Sequence, residues 1–332
     1  MAHQNLHGKT MFSHVANNSP VPKSIIFYRD FQEYTGGHQK VADYFQHLRS
    51  SSEFIPQICF SKSSLWNSSN PWFPDYQQQI EYIPGNYDYA FLAGMDWQMY
   101  LSAPRVHNQP VINLIQHVRH ADPAQPMHQY LSQKAVRICV SREVELAINN
   151  TGRVNGPVFT IDNGIALPSL SGVEKRHQIF VFGPKNPVLA RELVAELEVA
   201  GIKTHLVDHW LPREHLLEKL AASQIAILLP NLTEGFYLPA LEAMHFAELT
   251  IVPDCVGNRS FCHDRQNCFF PEYNTPALVA AVNDALQLLK QPEQLNIFKR
   301  NCASTLAYHS LERERNEFLG LMRQLDSIWS SL

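Results

Sequence analysis

The sequence lacks both a long hydrophobic run and an excess of positive charge. Apolar stretches such as Ile225–Leu229 are far shorter than the roughly 20 residues that a membrane-spanning helix needs. Lys and Arg number 27 against 31 Asp and Glu, which gives a net charge of -4. The sequence therefore predicts no transmembrane helix and no overall attraction for nucleic acid, while peripheral contact with a membrane stays open.

Cysteine is also scarce, since six residues in a chain of 332 do not form the disulfide framework of a small secreted protein. Cys59 and Cys139 lie in apolar runs, where reduced thiols behave as small hydrophobic groups. Cys262, His263 and Cys268 are close together, but no C-x2-C pair accompanies them. No D-x-D motif follows a predicted strand, so we expect no bound metal.

The first 23 residues are polar and lack the apolar core of a secretory signal. We interpret residues 1–23 as a flexible tail on a cytoplasmic protein. The chain as a whole is 45% hydrophobic and 17% charged, which favours a globular protein over a disordered one. Its length of 332 residues predicts two domains.

Short apolar runs alternate with longer segments of helical period, which is typical of parallel sheets covered by helices. The strands predicted in the first half are Ser24–Tyr28, Ile55–Phe60, Tyr87–Gly94, Pro110–His117, Ala135–Ser141 and Val158–Ile161. Those predicted in the second half are Gln178–Gly183, Lys203–Val207, Gln224–Pro230, Leu249–Pro253 and Asn267–Pro271. The pattern predicts an α/β protein of two doubly wound, Rossmann-like domains.

The segment Ala166–His177 has no clear periodicity and contains Pro, Ser and Gly, so it is the predicted linker. We place the first domain at residues 24–168 and the second at 169–332. After Pro276 the pattern is helical to the end of the sequence, and we expect these last helices to pack back on the first domain. Their predicted packing residues are Leu311, Phe318, Leu321, Leu325 and Trp329.

Ligands of open parallel sheets bind beyond the carboxyl ends of the strands. After the strand ending at Pro230, Glu234 and Gly235 lie in a turn, and Pro239 suits the first turn of the helix that carries Glu242. The free N–H groups and positive dipole end of such a helix suit a diphosphate. The two carboxylates are better suited to accept hydrogen bonds from sugar hydroxyls on either side of it.

The segment Glu234–Glu242 resembles the E-x7-E motif of retaining GT-B glycosyltransferases, especially those of family 4. Other segments resemble the same family in the same order: Val140-Ser141, Thr160–Ile165, Leu249–Asp254 with Gly257, Asn267–Pro271 and Tyr308–Arg313. The resemblance implies two domains facing a cleft, with the acceptor on the first domain and the nucleotide-sugar donor on the second.

The resemblance also implies residue roles. Glu234 would contact hydroxyls of the donor sugar, and Glu242 would hold the nucleotide ribose. The other donor-binding positions are Gly235, Phe236, Tyr237 and Leu238, where the turn and the helix start would line the sugar and the phosphate. Asn231 and Thr233 fit either ligand contact or capping of the turn.

A departing diphosphate needs positive charge. Family members carry an Arg directly after a Gly at the end of the second domain's first strand, and a Lys five residues later. Here Pro184 follows Gly183, and Lys185 and Arg191 are the nearest cations. We expect both to serve catalysis, with Arg191 the more sensitive because its guanidinium can hold two phosphate oxygens. Ordinary surface charge is the alternative.

In the first domain, Gly36 and Gly37 follow the first strand and resemble the glycine turn that approaches phosphate and acceptor. His117 follows a later strand and matches a family histidine that contacts the donor sugar or the acceptor, with His120 as the alternative. The aromatic loop Trp66–Tyr76 fits either stacking on sugar rings or covering of the first sheet.

Together these features predict a glycosyltransferase that moves a hexose-type sugar from a nucleoside diphosphate to an acceptor. The resemblance implies that it acts with retention and without a cofactor or metal. Two other readings stay open. One is a non-catalytic GT-B protein that binds a nucleotide sugar or glycan and assists a partner, and the other is a nucleotide-sugar epimerase. No motif identifies the acceptor.

Overall fold

The computed structural model describes residues 21–75, 80–170 and 172–332. Most of the predicted tail, and Tyr76 at the end of the aromatic loop, lie outside the described residues. Lys23, which we assigned to the tail, instead begins the first strand and pairs with Phe54. The apolar pattern did not predict Lys23 as the first residue of the strand, because Lys23 is polar and lies at the exposed end of an otherwise buried strand.

The first sheet has six parallel strands in the order β2-β1-β3-β4-β5-β6. These are β1 (Lys23–Arg29), β2 (Phe54–Phe60), β3 (Tyr89–Ala93), β4 (Val111–Ile115), β5 (Val136–Cys139) and β6 (Val158–Thr160). Its helices are α1 (Gly36–Arg49), α2 (Asp96–Ser102) and α3 (Arg142–Asn149). The direction in which successive strands are added to the sheet reverses between β1 and β3. The loops after β1, β3 and β4 lie at the carboxyl edge of the sheet near this point.

The second sheet has four parallel strands in the order β10-β9-β7-β8. They are β7 (His177–Phe182), β8 (Thr204–Val207), β9 (Ser223–Leu228) and β10 (Leu249–Ile251). The intervening helices are α4 (Pro187–Val199), α5 (Arg213–Ala221) and α6 (Leu238–Phe246). Because β7 and β9 are neighbours, the loops that follow them lie side by side at the carboxyl edge.

The predicted strand Asn267–Pro271 is wrong as a full strand. Only Phe269 of this segment bridges to the sheet: its N–H donates to Thr250 O at 2.8 Å and its O accepts from Val252 N–H at 3.0 Å. A tight turn bridged by Asp264 and Cys268 precedes this bridge, and Pro271, which has no N–H, follows it. The segment is therefore too constrained at both ends to extend the ladder.

The chain ends in four helices, α7 (Thr275–Leu288), α8 (Pro292–Tyr308), α9 (Leu311–Arg323) and α10 (Leu325–Ser330). Phe318, Leu325 and Trp329 belong to the first domain's apolar core, which confirms that the last helices pack back on that domain. The Phe318 ring lies 4.7 Å from that of Tyr44 on α1. Four of the five predicted packing positions are buried in this core, and Leu311 is partly exposed at the start of α9.

A buried ion pair also joins α1 to α9. Lys40 Nζ lies 2.8 Å from Glu314 Oε2, and the two side chains are 2% and 0% exposed. Lys40 also donates to Gly164 O at 2.7 Å, in the segment that leaves the first sheet. These bonds satisfy charges that would be costly to bury alone.

The predicted linker Ala166–His177 lies between β6 and β7, and its last residue begins β7. The domain limits drawn through it stay a prediction. Ahead of the linker, Ile165 N–H donates to His309 O at 2.9 Å, so the crossing segment is held against the C-terminal helices.

The described part of the aromatic loop packs on the first sheet rather than standing free of it. Trp72 is 1% exposed, and the Trp66 ring lies 5.3 Å from that of Phe60. Phe73 remains 43% exposed. Covering of the sheet therefore accounts for Trp66 and Trp72, and Phe73 is the aromatic side chain left facing outward. None of the helices in the described ranges combines the length and apolar character needed to cross a bilayer.

Candidate active site

The turn after β9 begins the candidate site. Asn231 N–H donates to Glu234 Oε1 at 3.1 Å, so the carboxylate is folded back over its own turn. The Tyr237 N–H donates to Gly257 O at 2.8 Å, which fixes the turn against the loop after β10. Helix α6 then starts at Leu238 with Pro239 in its first turn, as the sequence predicted. Its positive end therefore points to the carboxyl edge of the sheet.

Lys185, after β7, forms an ion pair and hydrogen bond with Glu234, after β9. The side chains are 20% and 14% exposed, so the pair is shielded without being sealed from solvent. The Lys185 ammonium also lies 5.2 Å from the ring centre of Tyr237 and 5.8 Å from that of Trp210. Lys185 thus brings positive charge to the turn that carries Glu234.

Arg191 occupies a different place. Its Nη2 lies 2.6 Å from Asp208 Oδ2, after β8, and its side chain is 64% exposed. The side chain extends along α4 to the neighbouring strand end rather than to Glu234. The structure therefore brings Lys185, and not Arg191, to the Glu234 turn, because Lys185 lies in the loop itself while Arg191 lies in the helix beyond it.

Glu242, on α6, is 4% exposed. Its Oε1 accepts a hydrogen bond from Arg213 Nε at 2.7 Å. Burial raises the pKa of the Glu242 carboxyl, and the charge and hydrogen bond of Arg213 oppose that rise. Arg213 begins α5, the helix after β8, and its second contact is with Ala166 O at 2.9 Å.

His117 lies in the loop after β4, at the edge of the first sheet. Its Nδ1 accepts from the Arg119 N–H at 3.0 Å, which leaves the ring proton on Nε2 when the ring is neutral. Burial lowers the pKa of His117 to about 4, with a smaller contribution from Arg119. The imidazole is therefore neutral at physiological pH, with Nε2–H available as a donor. Two charged groups of the second domain also act on the pKa of His117: Glu234 raises it and Lys185 lowers it.

Gly36 and Gly37 begin α1, whose N-cap Thr35 accepts from His38 N–H at 3.2 Å. A Cβ atom at Gly36 would lie 3.9 Å from Leu238 Cδ1 of the second domain. Gly37 O accepts from Gln116 Nε2 at 3.3 Å. The predicted glycine turn thus lies beside both the start of α6 and the loop of His117.

Gly235 forms a very close approach between the loops of the two sheets. A Cβ atom at this position would overlap the carbonyl oxygen of Gln116 and lie 2.8 Å from His117 Cα. Ser141, in turn, donates from Oγ to Gly235 O at 3.3 Å. The Phe236 ring turns inward, 5.0 Å from Phe261, so only its backbone lines the turn.

The side chains of Cys262, His263 and Cys268 are not arranged as a set of metal ligands. Cys262 and Cys268 are buried in the second core as free thiols. Across residues 21–75, 80–170 and 172–332, no group of three or more His, Cys, Asp or Glu side chains is arranged to hold a metal ion.

Two residues of this edge escaped the sequence reasoning. Arg213 and Trp210 both follow β8, and Trp210 is 68% exposed. Their position after a strand was the available signal, but no motif marked them. The sequence pattern does not define the order of the strands in the sheet. It therefore could not show which residues lie beside the loop after β8.

Two doubly wound parallel sheets, with the loops at their carboxyl ends in contact and the last helices returned to the first domain, define the GT-B fold. No protein-family model matches the chain, and neither does any curated protein. Solved structures do. The fold is similar to that of sucrose-phosphate synthase from Thermosynechococcus elongatus, with a TM-score of 0.62 at 13% identity over 93% of this chain and 100% of that one.

HepE of Anabaena, solved in complex with UDP-glucose, matches with a TM-score of 0.67 at 10% identity over 91% of this chain and 100% of that one. A glycosyltransferase from Rickettsia africae matches with a TM-score of 0.63 at 14% identity over 92% of this chain and 98% of that one. These matches show that the chain has the fold of GT-B glycosyltransferases and is similar to them over nearly its whole length.

Proposed function

We propose that this protein is a retaining glycosyltransferase that moves a sugar from a nucleoside diphosphate to an acceptor hydroxyl. The proposal depends on the position of three side chains, Lys185, Glu234 and His117. They lie near the point where Gly235 of the second domain contacts Gln116 of the first. A carboxylate, an ammonium and a neutral imidazole donor at the positive end of α6 suit a sugar diphosphate. UDP is the first nucleotide to test, because HepE was solved with UDP-glucose.

Each residue has a proposed part. Glu234 accepts hydrogen bonds from donor-sugar hydroxyls, and His117 donates from Nε2 to a sugar oxygen. Lys185 and the backbone N–H group of Gly235, in the turn before α6, hold the diphosphate. The Leu238 N–H already donates to Phe236 O at 3.2 Å, so Leu238 lines the site without donating to the phosphate. Lys185 pairs with Glu234 in the structure, so a bound diphosphate would share the ammonium with that carboxylate.

In the proposed reaction, the bond between the anomeric carbon and the diphosphate oxygen breaks. The acceptor oxygen forms a bond to the same face of that carbon, and the acceptor proton passes to the departing diphosphate. No protein carboxylate needs to act as a nucleophile. Catalysis then depends on positioning and on the charge stabilisation that Lys185 and α6 supply, without a metal.

Glu242 is proposed to accept hydrogen bonds from the ribose hydroxyls, since its carboxylate is buried on α6 beside the turn. Replacing it by Gln removes charge-assisted bonds, at a cost of about 1 kcal/mol or more. We expect calorimetry to show weaker UDP binding by Glu242→Gln, while Glu234→Gln lowers turnover more than it weakens UDP binding.

The matched control is Glu248→Gln, which removes a carboxylate of the same domain that pairs with Lys299 outside the site. Equal UDP affinity in the parent, Glu242→Gln and Glu248→Gln would remove Glu242 from the site. A parent that binds nucleotide sugars without transferring or hydrolysing them would support the non-catalytic alternative.

A further inference from the structure

The carboxylate of Glu242 is bonded to another side chain of the protein, that of Arg213. The carboxylate is 4% exposed, and its Oε1 accepts from Arg213 Nε at 2.7 Å. Its Oε2 accepts no hydrogen bond from any residue that the structure describes. The side chain therefore has one oxygen fixed by the protein and one left for another donor.

Arg213 has a second anchor. While Nε holds Glu242, Nη2 donates to Ala166 O at 2.9 Å. Ala166 lies in the segment that joins the two sheets, so one guanidinium connects α5, α6 and the connection between the domains. A planar fork with several donors can make both bonds at once, which a Lys ammonium on a flexible stem does less well.

We propose that Arg213 is a positioning residue that keeps Glu242 ionised and aims its free oxygen at the nucleotide ribose. This inference rests on the proposed function and adds to it a residue outside the E-x7-E segment. Arg213 acts through Glu242, while its Nε and Nη2 remain bonded to Glu242 and Ala166.

The electrostatics of the pair agree with this role. Burial raises the pKa of Glu242, so without a cation a larger fraction of the carboxyl would be protonated near neutral pH. A protonated carboxyl accepts ribose bonds less strongly than a carboxylate. Two other titratable groups face the pair: Tyr34, from the loop before α1, and Tyr237, at the start of α6. The pKa of each is raised, mainly by burial, so both are neutral near pH 7 and add no competing charge.

The test compares UDP binding by the parent, Arg213→Gln and Arg213→Lys at pH 6 and pH 8. We expect Arg213→Gln to weaken binding about tenfold at pH 8, the scale of one charge-assisted hydrogen bond, and by more at pH 6. Arg213→Lys keeps the charge and should restore most of the affinity at pH 6. A loss of equal size at both pH values would mean that Arg213 does not control the ionisation of Glu242.

A double-variant comparison separates an indirect role from direct contact with the nucleotide. In the Glu242→Gln background, adding Arg213→Gln should change UDP affinity less than about twofold, because the residue through which Arg213 acts is already neutral. A tenfold loss in that background would overturn the proposal and make Arg213 a ligand of UDP. Arg323→Ala, which breaks an exposed ion pair with Glu53, serves as the matched control and should bind like the parent.

The ionisation of Glu242 can also be followed without nucleotide. In protein labelled with 13C at glutamate carboxyls, the resonance that Glu242→Gln removes should titrate at higher pH in Arg213→Gln than in the parent. An unchanged titration would overturn this inference alone. If the labelled titration shifts but the parent binds no UDP, the proposed function fails instead.

Discussion

The ammonium of Lys185 is paired with the carboxylate of Glu234 across the carboxyl ends of β7 and β9. These strands are far apart in sequence but adjacent in the sheet, so the loops that follow them meet. A cation therefore lies beside the first carboxylate of the E-x7-E segment, although the sequence has no Arg in the usual position after Gly183.

Lys185→Ala should lower kcat for sugar transfer by about 10²–10³, the scale of losing one preorganised donor to a developing charge. Arg191→Ala removes an exposed ion pair with Asp208 and should leave kcat within a few-fold of the parent. This reverses the order of sensitivity that we expected from the sequence. Steady-state kinetics measures kcat of the two variants, with circular dichroism as a control for folding. A larger loss of kcat in Arg191→Ala than in Lys185→Ala would support the order of sensitivity expected from the sequence.

Gly235→Ala should impair function without unfolding either domain. The added Cβ overlaps the carbonyl oxygen of Gln116, so the loops of the two sheets must move apart. We expect turnover to fall at least about tenfold, because small displacements of positioned groups are costly in catalysis. Gly320→Ala is the control, since nothing lies within 4 Å of a Cβ there and Ala favours a helix. If Gly235→Ala is fully active, the observed contact is not required for catalysis.

His120 should make the fold less stable in mild acid. Burial lowers the pKa of its imidazole to about 3, below the value of about 6.5 in an unfolded chain. As the pH falls from about 6.5 towards 3, the unfolded state takes up a proton that the folded state does not, so stability is lost over this window. His120→Gln should therefore show a smaller drop in Tm between pH 7 and pH 5.

The control for this series is His263→Gln, at an exposed side chain, which should keep the parent's pH dependence. His38 and His117, each with a pKa lowered to about 4, should preserve part of the slope in every variant. A Tm that falls equally in the parent and in His120→Gln would show that His120 does not contribute.

The buried pair of Lys40 and Glu314 should stabilise the return of α9 to the first domain. Lys40→Met leaves Glu314 without its closest cation and should cost about 3–5 kcal/mol in urea unfolding. The double variant Lys40→Met/Glu314→Leu removes both charges and should recover part of that loss, since the Gly164 N–H and Asp43 still lose a partner. If the double variant is less stable than Lys40→Met, the loss in Lys40→Met is not that of an unpaired Glu314 charge.

The sequence predicted the elements whose signal is local. Runs such as Ile225–Leu229 gave the buried strands, and Glu234 with Pro239 marked the turn and the start of α6. Contacts made across the sheets were not predictable in the same way. The pairs Arg213 with Glu242 and Lys40 with Glu314 depend on strand order and on the return of α9, which no short motif records.

The segment Asn267–Pro271 shows the reverse case, in which the local pattern predicted a full strand that the structure does not form. Its residues have the composition of a strand, but the Asn267 side-chain amide donates to Phe261 O at 2.7 Å, which ties the start of the segment to the preceding loop. Arg265, two residues earlier, has a left-handed backbone with φ 57°, a conformation of turns rather than strands. Tertiary contacts and turn geometry therefore override the local pattern there.

The most direct measurement of the central claim is NMR detection of products from a panel of UDP-sugars and acceptor sugars, with and without EDTA. We predict a new glycosidic linkage with the donor's anomeric configuration, formed at the same rate in chelator and about 10²–10³ times more slowly in Lys185→Ala. An inverted product would contradict retention, and activity that disappears in EDTA and returns with Mg2+ would contradict the metal-free mechanism. Failure to bind or convert any UDP-sugar would contradict the proposed nucleotide donor.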